Sequence, residues 1–350
     1  MTDKALFPGL ATAIGSLPHQ DMDAALDLVL ENVPDCPHWP QLQSLRYTEK
    51  MEIQPVDGLP GIRHNPEKKS VYVDTEGGAE ELAEFYEKAV SAEESGDLSE
   101  FAISPEYGQG IHAFKERLEG LGKKLPLVKA QLIGPFSFGF SITDQDKRAI
   151  LFDPTWADVA MRVLALKSLW QIKLLEEHAD GVVFFLDEPM LSAYGSTAML
   201  TVSREEVITR LNQVIDPLKE AGAIVGTHCC GNSDWGLVME SNLDMLNFDV
   251  FNYGSTLGIY KDETNAFLKR GGWIAAGVVP TAESIDNEDE GSLSKKLSEW
   301  IEELAKAGID RDLLKSQVVI TPACGCGTLS VEQTEKIYRI LKYLQGTYSK

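Results

Sequence analysis

Eight short strand candidates, several of them almost continuously apolar, recur along the chain, most of them followed by a longer segment with helical periodicity. This alternation constrains the fold more than any other feature. Apolar runs without in-out alternation belong to strands buried on both faces, and such strands occur in parallel sheets covered by helices. The runs span 11–16, 36–42, 127–134, 181–187, 223–228, 245–252, 272–278 and 317–323; GVVFFLDEP and AIVGTHCC show their character. Eight strand-helix units predict an α/β chain folded as a (β/α)8 TIM barrel, whereas two fewer would give an open doubly wound sheet.

The gap between the second and third runs is too long for one helix. Residues 43–126 are expected to be an insertion, with a hairpin around 71–74, a helix over 79–92 and a surface loop over 92–100. The remainder, 1–350 as a whole, reads as a single barrel domain. A helix is expected over 157–178. Ser203 with Glu206, and Ser330 with Gln333, have the spacing of capping boxes. The acidic run 283–290 reads as a solvated loop.

A chain of 350 residues with 43% hydrophobic content can bury a large core without metal or disulfide staples. A metal site here would therefore serve chemistry rather than folding. The formal charge of −22, from 54 acidic and 32 basic residues, repels phosphate backbones and anionic lipids, which argues against nucleic-acid partners. No apolar run is long enough for a membrane span, and the opening stretch lacks the apolar core of a secretory signal, so a cytoplasmic protein is expected. Of the five cysteines, four fall in two short motifs, a pattern that suits metal binding or reactivity better than a disulfide framework.

In a barrel, side chains at the C-terminal ends of the strands converge on one face. The first run ends in IGSLPH, the fourth in LDEP, the fifth in THCCGN and the eighth in PACGCG. His228 and Cys230 are two residues apart, so in extended backbone both point to one side. Imidazole and thiolate suit zinc, and Cys324 from the eighth run would make a three-ligand site with a position left open. The alternative is a buried histidine with two small apolar cysteines. Cys326 lies on the same side as Cys324 and is either a fourth ligand or a bystander. Cys229 should point into packing, and Cys36 into the core. Asp187 either binds a substrate ammonium or sits in a structural ion pair.

Taken in order, IGSLPH, LIGPFS, LDEPM, THCCGN, GVVPT and TPACGCG resemble the catalytic C-terminal barrel of cobalamin-independent methionine synthase. That superfamily also holds uroporphyrinogen decarboxylase and the corrinoid-protein-dependent methyltransferases. The resemblance implies a Zn2+ ion on His228, Cys230 and Cys324. It implies that Ile14, Gly15 and Ser16 hold the backbone of homocysteine, that Asp187 binds its ammonium, and that Glu76 is a further substrate contact. The implied reaction is methyl transfer to a thiol, homocysteine giving methionine, with methylfolate or a methylcorrinoid protein as donor. The family's further zinc-ligating glutamate, at the end of the sixth strand, falls on Gly254 in DVFNYGST, so Cys326 or no protein group would complete the site. Methionine synthase has two barrels, and a single barrel is closer to the enzymes that use a corrinoid protein partner. Two other readings stand beside this one. A uroporphyrinogen-decarboxylase-like enzyme would want arginines for substrate carboxylates, and a zinc- or corrinoid-partner-binding protein would bind without turnover.

Overall fold

A computed structural model describes residues 6–65 and 67–348. In chain order it contains α1 (Met22–Asn32), β1 (Ile62–Asn65), β2 (Ser70–Val73), α2 (Ala79–Ser95), α3 (Gln109–Gly120), β3 (Val128–Ile133), α4 (Pro135–Ser141), α5 (Pro154–Leu175), β4 (Val182–Asp187), α6 (Arg204–Glu220), β5 (Ile224–Cys229), α7 (Trp235–Glu240), β6 (Met245–Phe248), α8 (Val250–Tyr253), α9 (Lys261–Lys269), β7 (Trp273–Val279), α10 (Glu290–Ala307), α11 (Arg311–Ser316), β8 (Val318–Pro322) and α12 (Val331–Tyr348). Among the described residues no helix is long and apolar enough to cross a membrane.

Strands β3 to β8 form one parallel sheet in sequential order, curled into part of a barrel. All but one of their residues are buried, as the apolar runs require. The expected strands at 11–16 and 36–42 do not form ladders. They are extended segments held by single bridges: Ala11 beside Ile320, Ser16 beside Gln41, and His38 beside Lys129. Backbone bonds link them to the sheet's two edges, with Thr12 N–H donating to Ile320 O at 3.1 Å and Lys129 N–H to Pro37 O at 2.8 Å. The physical reason is local. Pro37 and Pro40 remove two ladder donors from one segment, and Gly15, with φ of 151°, bends the other.

Side-chain alternation divides the sheet into two faces. On the concave side Leu10, Ile14, Leu127, Val183, Phe185, Ile224, Met245, Ala275 and Val319 form an apolar floor. The polar residues Lys129, Gln131, Asn247 and Thr321 follow it along the same side of their strands, all fully buried. The convex side packs against the helices. In α10, Leu293, Leu297, Trp300, Ile301 and Leu304 recur at helical spacing and are buried; each contributes about 1.5–3 kcal/mol.

The acidic run 283–290 is not a loop. Glu283–Asn287 is a short 3-10 helix, and Asp289 starts α10 through a reciprocal capping box with Ser292. Ser330 and Gln333 also cap reciprocally, at 3.2 and 3.1 Å. Residues 43–126 hold the antiparallel pair β1–β2 and α2, as expected. Helix α2 runs on to Ser95, where Gly96 ends it in the left-handed conformation at φ 70°, so the expected loop is shorter. Helix α3 was not assigned from the sequence, although Ile111, Phe114 and Leu118 have its spacing. The 245–252 run ends as a strand at Phe248, because the Asp249 side chain caps the helical turn α8.

Candidate metal centre

Three side chains meet at the C-terminal ends of β5 and β8. His228 lies within β5 and Cys230 just after it, while Cys324 follows β8. One ligand atom from each lies within 4.8 Å of the others. Nitrogen and sulfur bound to one zinc at about 2.0–2.3 Å stand roughly 3.3–3.8 Å apart in a tetrahedron, so the three need to move little to share an ion. His228 is buried and the cysteines half-buried.

The tautomer of His228 follows from its neighbours. Asn247, its register partner on β6, donates both amide hydrogens, to Ala275 O and Thr321 Oγ1 at 2.7 Å each. Its Oδ1 must therefore accept, and His228 Nδ1 donates to it. Nε2 carries the lone pair, is buried, and has no hydrogen-bond partner. A bare imidazole nitrogen beside two thiols is a donor set that fits a thiophilic cation such as zinc.

The two thiols differ. Cys230 is drawn down, first by hydrogen bonding from Cys324 and then by the imidazole of His228 beside it, against the effect of burial. Cys324 is pushed up, first by that same bond to Cys230 and then by burial, since a second thiolate beside the first is unfavourable. His228 is raised: burial opposes its charged form, but Cys230 and Asp187 outweigh it.

Beside the cluster opens a cavity of about 260 Å³, lined by Ile14, Ser16, Gln41, Gln43, Glu49, Met51, Glu52, Asp187 and Pro189 together with the three ligand residues and Gly325, Gly327 and Thr328. Among the described residues no lysine or arginine lines it. Asp187 ends β4, opposite His228 in register. Its Oδ1 is buried without a partner, and burial raises its carboxyl to about 6 despite His228 and Lys129. The neighbouring carboxylate has a different task. Glu188 accepts from Phe136 N, Ser137 N and Ser137 Oγ at 2.7–2.8 Å, anchoring the end of β4 to the start of α4.

The glycines of the CGCG turn have a steric role. A Cβ on Gly325 would lie 2.0 Å from Ser16 Oγ, and one on Gly327 2.4 Å from Gln43 Nε2. Cys326 N–H donates to Ser16 O at 2.9 Å. Cys326 itself is buried and outside the three-residue cluster, its thiol raised to about 12 by burial. The motif supplies one candidate ligand and then a buried anchor that holds Ser16 against the site. Gly15 is confined in the same way, with Gln131 and Gln41 each 2.8 Å from the Cβ it lacks.

Two other expected positions lie elsewhere. Glu76 is exposed in the turn between β2 and α2 and does not line the cavity. Gly254 is separated from β6 by α8, and its missing Cβ faces Trp300 Cδ1 at 2.7 Å, so no longer side chain fits there. The carboxylate at the end of β6 is Asp249, which is buried, holds Asn252 through both oxygens, and lies close enough to Cys230 and His228 to feel their charge.

The sequence reading missed Glu49, Met51 and Glu52, which the 43–126 segment brings to the cavity. Glu49 is 2% exposed. Its Oε1 accepts from Gln109 N at 2.8 Å, and its Oε2 is buried and unpartnered. Burial raises its carboxyl to about 7. The surrounding YTEKMEIQP has no clear period, and a glutamate next to a methionine was its only signal.

Fold and site together define an α/β protein with a His/Cys cluster that could hold a metal ion at the C-terminal ends of parallel strands. No protein-family model and no curated protein matches the chain. Among solved structures, a methyltransferase from Methanosarcina mazei shares its fold, with a TM-score of 0.53 and 13% identity over 95% of this chain and 87% of that one. A B12-independent methionine synthase from Shewanella sp. W3-18-1, solved with selenomethionine, aligns at 17% identity and a TM-score of 0.46 over 67% of this chain. The chain spans 65% of that protein's length.

Proposed function

We propose that this protein is a zinc-dependent methyltransferase that transfers a methyl group to a thiol, with homocysteine the acceptor its cavity suits best. The observation that carries this reading is the meeting of one unpartnered imidazole nitrogen and two thiols beside a cavity whose unpartnered buried groups include two carboxylate oxygens.

His228, Cys230 and Cys324 would hold the ion. Zinc bound there would keep the incoming thiol deprotonated at neutral pH. The chain's own residues would place the rest of the acceptor. Asp187 Oδ1 and Glu49 Oε2 lack donors and would take the ammonium, so Glu49 assumes the role expected of Glu76. The 14–16 loop, held by the CGCG turn, would receive the carboxylate end. Asp249, which lies outside the three-residue cluster but feels the charge of Cys230 and His228, would complete the ion's ligands by releasing Asn252, in place of Gly254 or Cys326. Fixing sulfur and ammonium together leaves the sulfur one open direction of approach, which is what in-line transfer requires. The methyl moves as a cation equivalent and the donor departs with the bonding electron pair, which suits a methylcorrinoid on a partner protein or a methylfolate. We read the whole chain as one (β/α)8 barrel, with the bridged segments 11–16 and 36–42 in the first two strand positions and 43–126 as the insertion. Among the described residues no lysine or arginine lines the cavity, which argues against a decarboxylase of polycarboxylates.

The test is metal analysis of the purified protein followed by a homocysteine methylation assay with methylcobalamin. One zinc per chain, with methionine formed and both lost in His228→Ala, is the expected outcome. A metal-free protein with full activity would overturn the reading.

A further inference from the structure

Lys129 is a fully buried cation that the chemistry above does not use. Its Nζ donates to the Ile14 carbonyl at 2.6 Å and to Gln131 Oε1 at 3.0 Å, and lies 4.6 Å from the centre of the Phe185 ring. A buried ammonium is costly unless it is paired and hydrogen-bonded. The other buried polar groups on this side of the sheet are the neutral Gln131, Asn247 and Thr321, and Asp187 and His228 at the strand ends, so Asp187 is the buried carboxylate that shares this side with the lysine. Burial lowers the lysine to about 8, which leaves it mostly charged at neutral pH, and Asp187 is the first of the groups that oppose this. Gln131 extends the link: it accepts from Lys129, donates to Trp39 O at 3.0 Å, and borders Gly15. Lys129 thus connects the carbonyl at the start of the 14–16 loop with the field around Asp187.

We propose that Lys129 is a positioning residue that holds the 14–16 loop and Asp187 in the relative arrangement that receives the amino-acid end of the thiol acceptor. The inference rests on the methyl-transfer reading, but concerns only how the non-sulfur end of the acceptor is held.

The test uses cobalt-substituted protein and the spectral change as thiol is added, with homocysteine compared to 2-mercaptoethanol, which has the sulfur but no amino-acid end. Lys129→Met should retain wild-type metal stoichiometry, bind homocysteine at least tenfold more weakly, and bind 2-mercaptoethanol within twofold of wild type. Homocysteine affinity within threefold of wild type, or an equal loss for both thiols, would overturn the proposal. If Lys129→Met does not fold, Lys129→Leu, which likewise has neither the charge nor a donor for Ile14 O, carries the test by the same criteria. Failure of both to fold would make Lys129 a folding residue and would also overturn it. A wild-type protein that binds neither thiol removes the methyl-transfer reading and this inference together, whereas a wild-type protein that binds homocysteine beside a variant that binds it equally removes this inference alone.

Discussion

His228 Nδ1 donates to Asn247 Oδ1 across the β5–β6 ladder, and this bond fixes which ring nitrogen faces the two thiols. Because Asn247 spends both amide hydrogens on Ala275 O and Thr321 Oγ1, it cannot flip without losing two buried bonds. Asn247→Leu should keep the volume but release the imidazole to rotate and change tautomer. Outer-shell partners of a ligating histidine typically matter by about 10–100-fold in metal affinity. Chelator competition should show a loss in that range, with the circular dichroism spectrum unchanged; wild-type affinity would mean the tautomer is set by something else.

The two cysteines of the CGCG turn should behave oppositely. Cys324→Ala should abolish stoichiometric zinc binding, since only two ligands remain in the cluster. Cys326→Ala should bind one zinc per chain as wild type does, and lose about 1 kcal/mol of stability as a small buried side chain is trimmed. Zinc titration and thermal melts on both variants check this. Loss of zinc from Cys326→Ala would place that sulfur in the coordination sphere.

Asp249 is expected to act where the sequence pointed to Gly254. Asp249→Ala should weaken zinc binding at least tenfold, and should also lose about 1 kcal/mol through the cap of α8. Asp249→Ser separates the two effects, because serine can cap the turn but is a poor zinc ligand. Equal zinc affinity in both variants and wild type would show that the carboxylate is structural only.

These corrections show what the sequence made legible and what it did not. Strands β3 to β8 announce themselves because burial on both faces demands unbroken apolar runs. The segment 36–42 does not form a ladder, because within CPHWPQL Pro37 and Pro40 lack the donors a ladder needs. His228, Cys230 and Cys324 are legible because His-x-Cys and Cys-Gly-Cys lie at strand ends, and strand ends converge. Cys326 shares that spacing, yet the turn after β8 takes it into the core, where its amide rather than its sulfur serves the site. Asp249 falls inside the expected sixth strand, 245–252, whereas the structure ends that strand at Phe248 and makes Asp249 the cap of a helical turn. Glu49 was invisible for a different reason: it arrives on a segment without periodicity, and its importance comes from long-range packing against Gln109 and the cavity, which no local pattern encodes.

Glu49 gives the prediction with the clearest sign. Its folded carboxyl titrates near 7 against 4.5 for the free side chain. Between those values the folded chain holds a proton that the unfolded chain has released. The stability associated with that proton is complete below pH 4.5 and is lost as pH rises through 7. Glu49→Gln cannot ionise and should escape this loss. Its stability relative to wild type should therefore improve by on the order of 1–3 kcal/mol between pH 5 and pH 8, read from denaturant midpoints at both values. Homocysteine should narrow the gap for wild type at pH 8, because an ammonium placed against Glu49 Oε2 stabilises the ionised form, while 2-mercaptoethanol should not. A pH-independent difference between the two proteins would mean that Glu49 stays ionised in the folded chain. A gap that both thiols close equally would mean that the ammonium does not lie against this carboxylate.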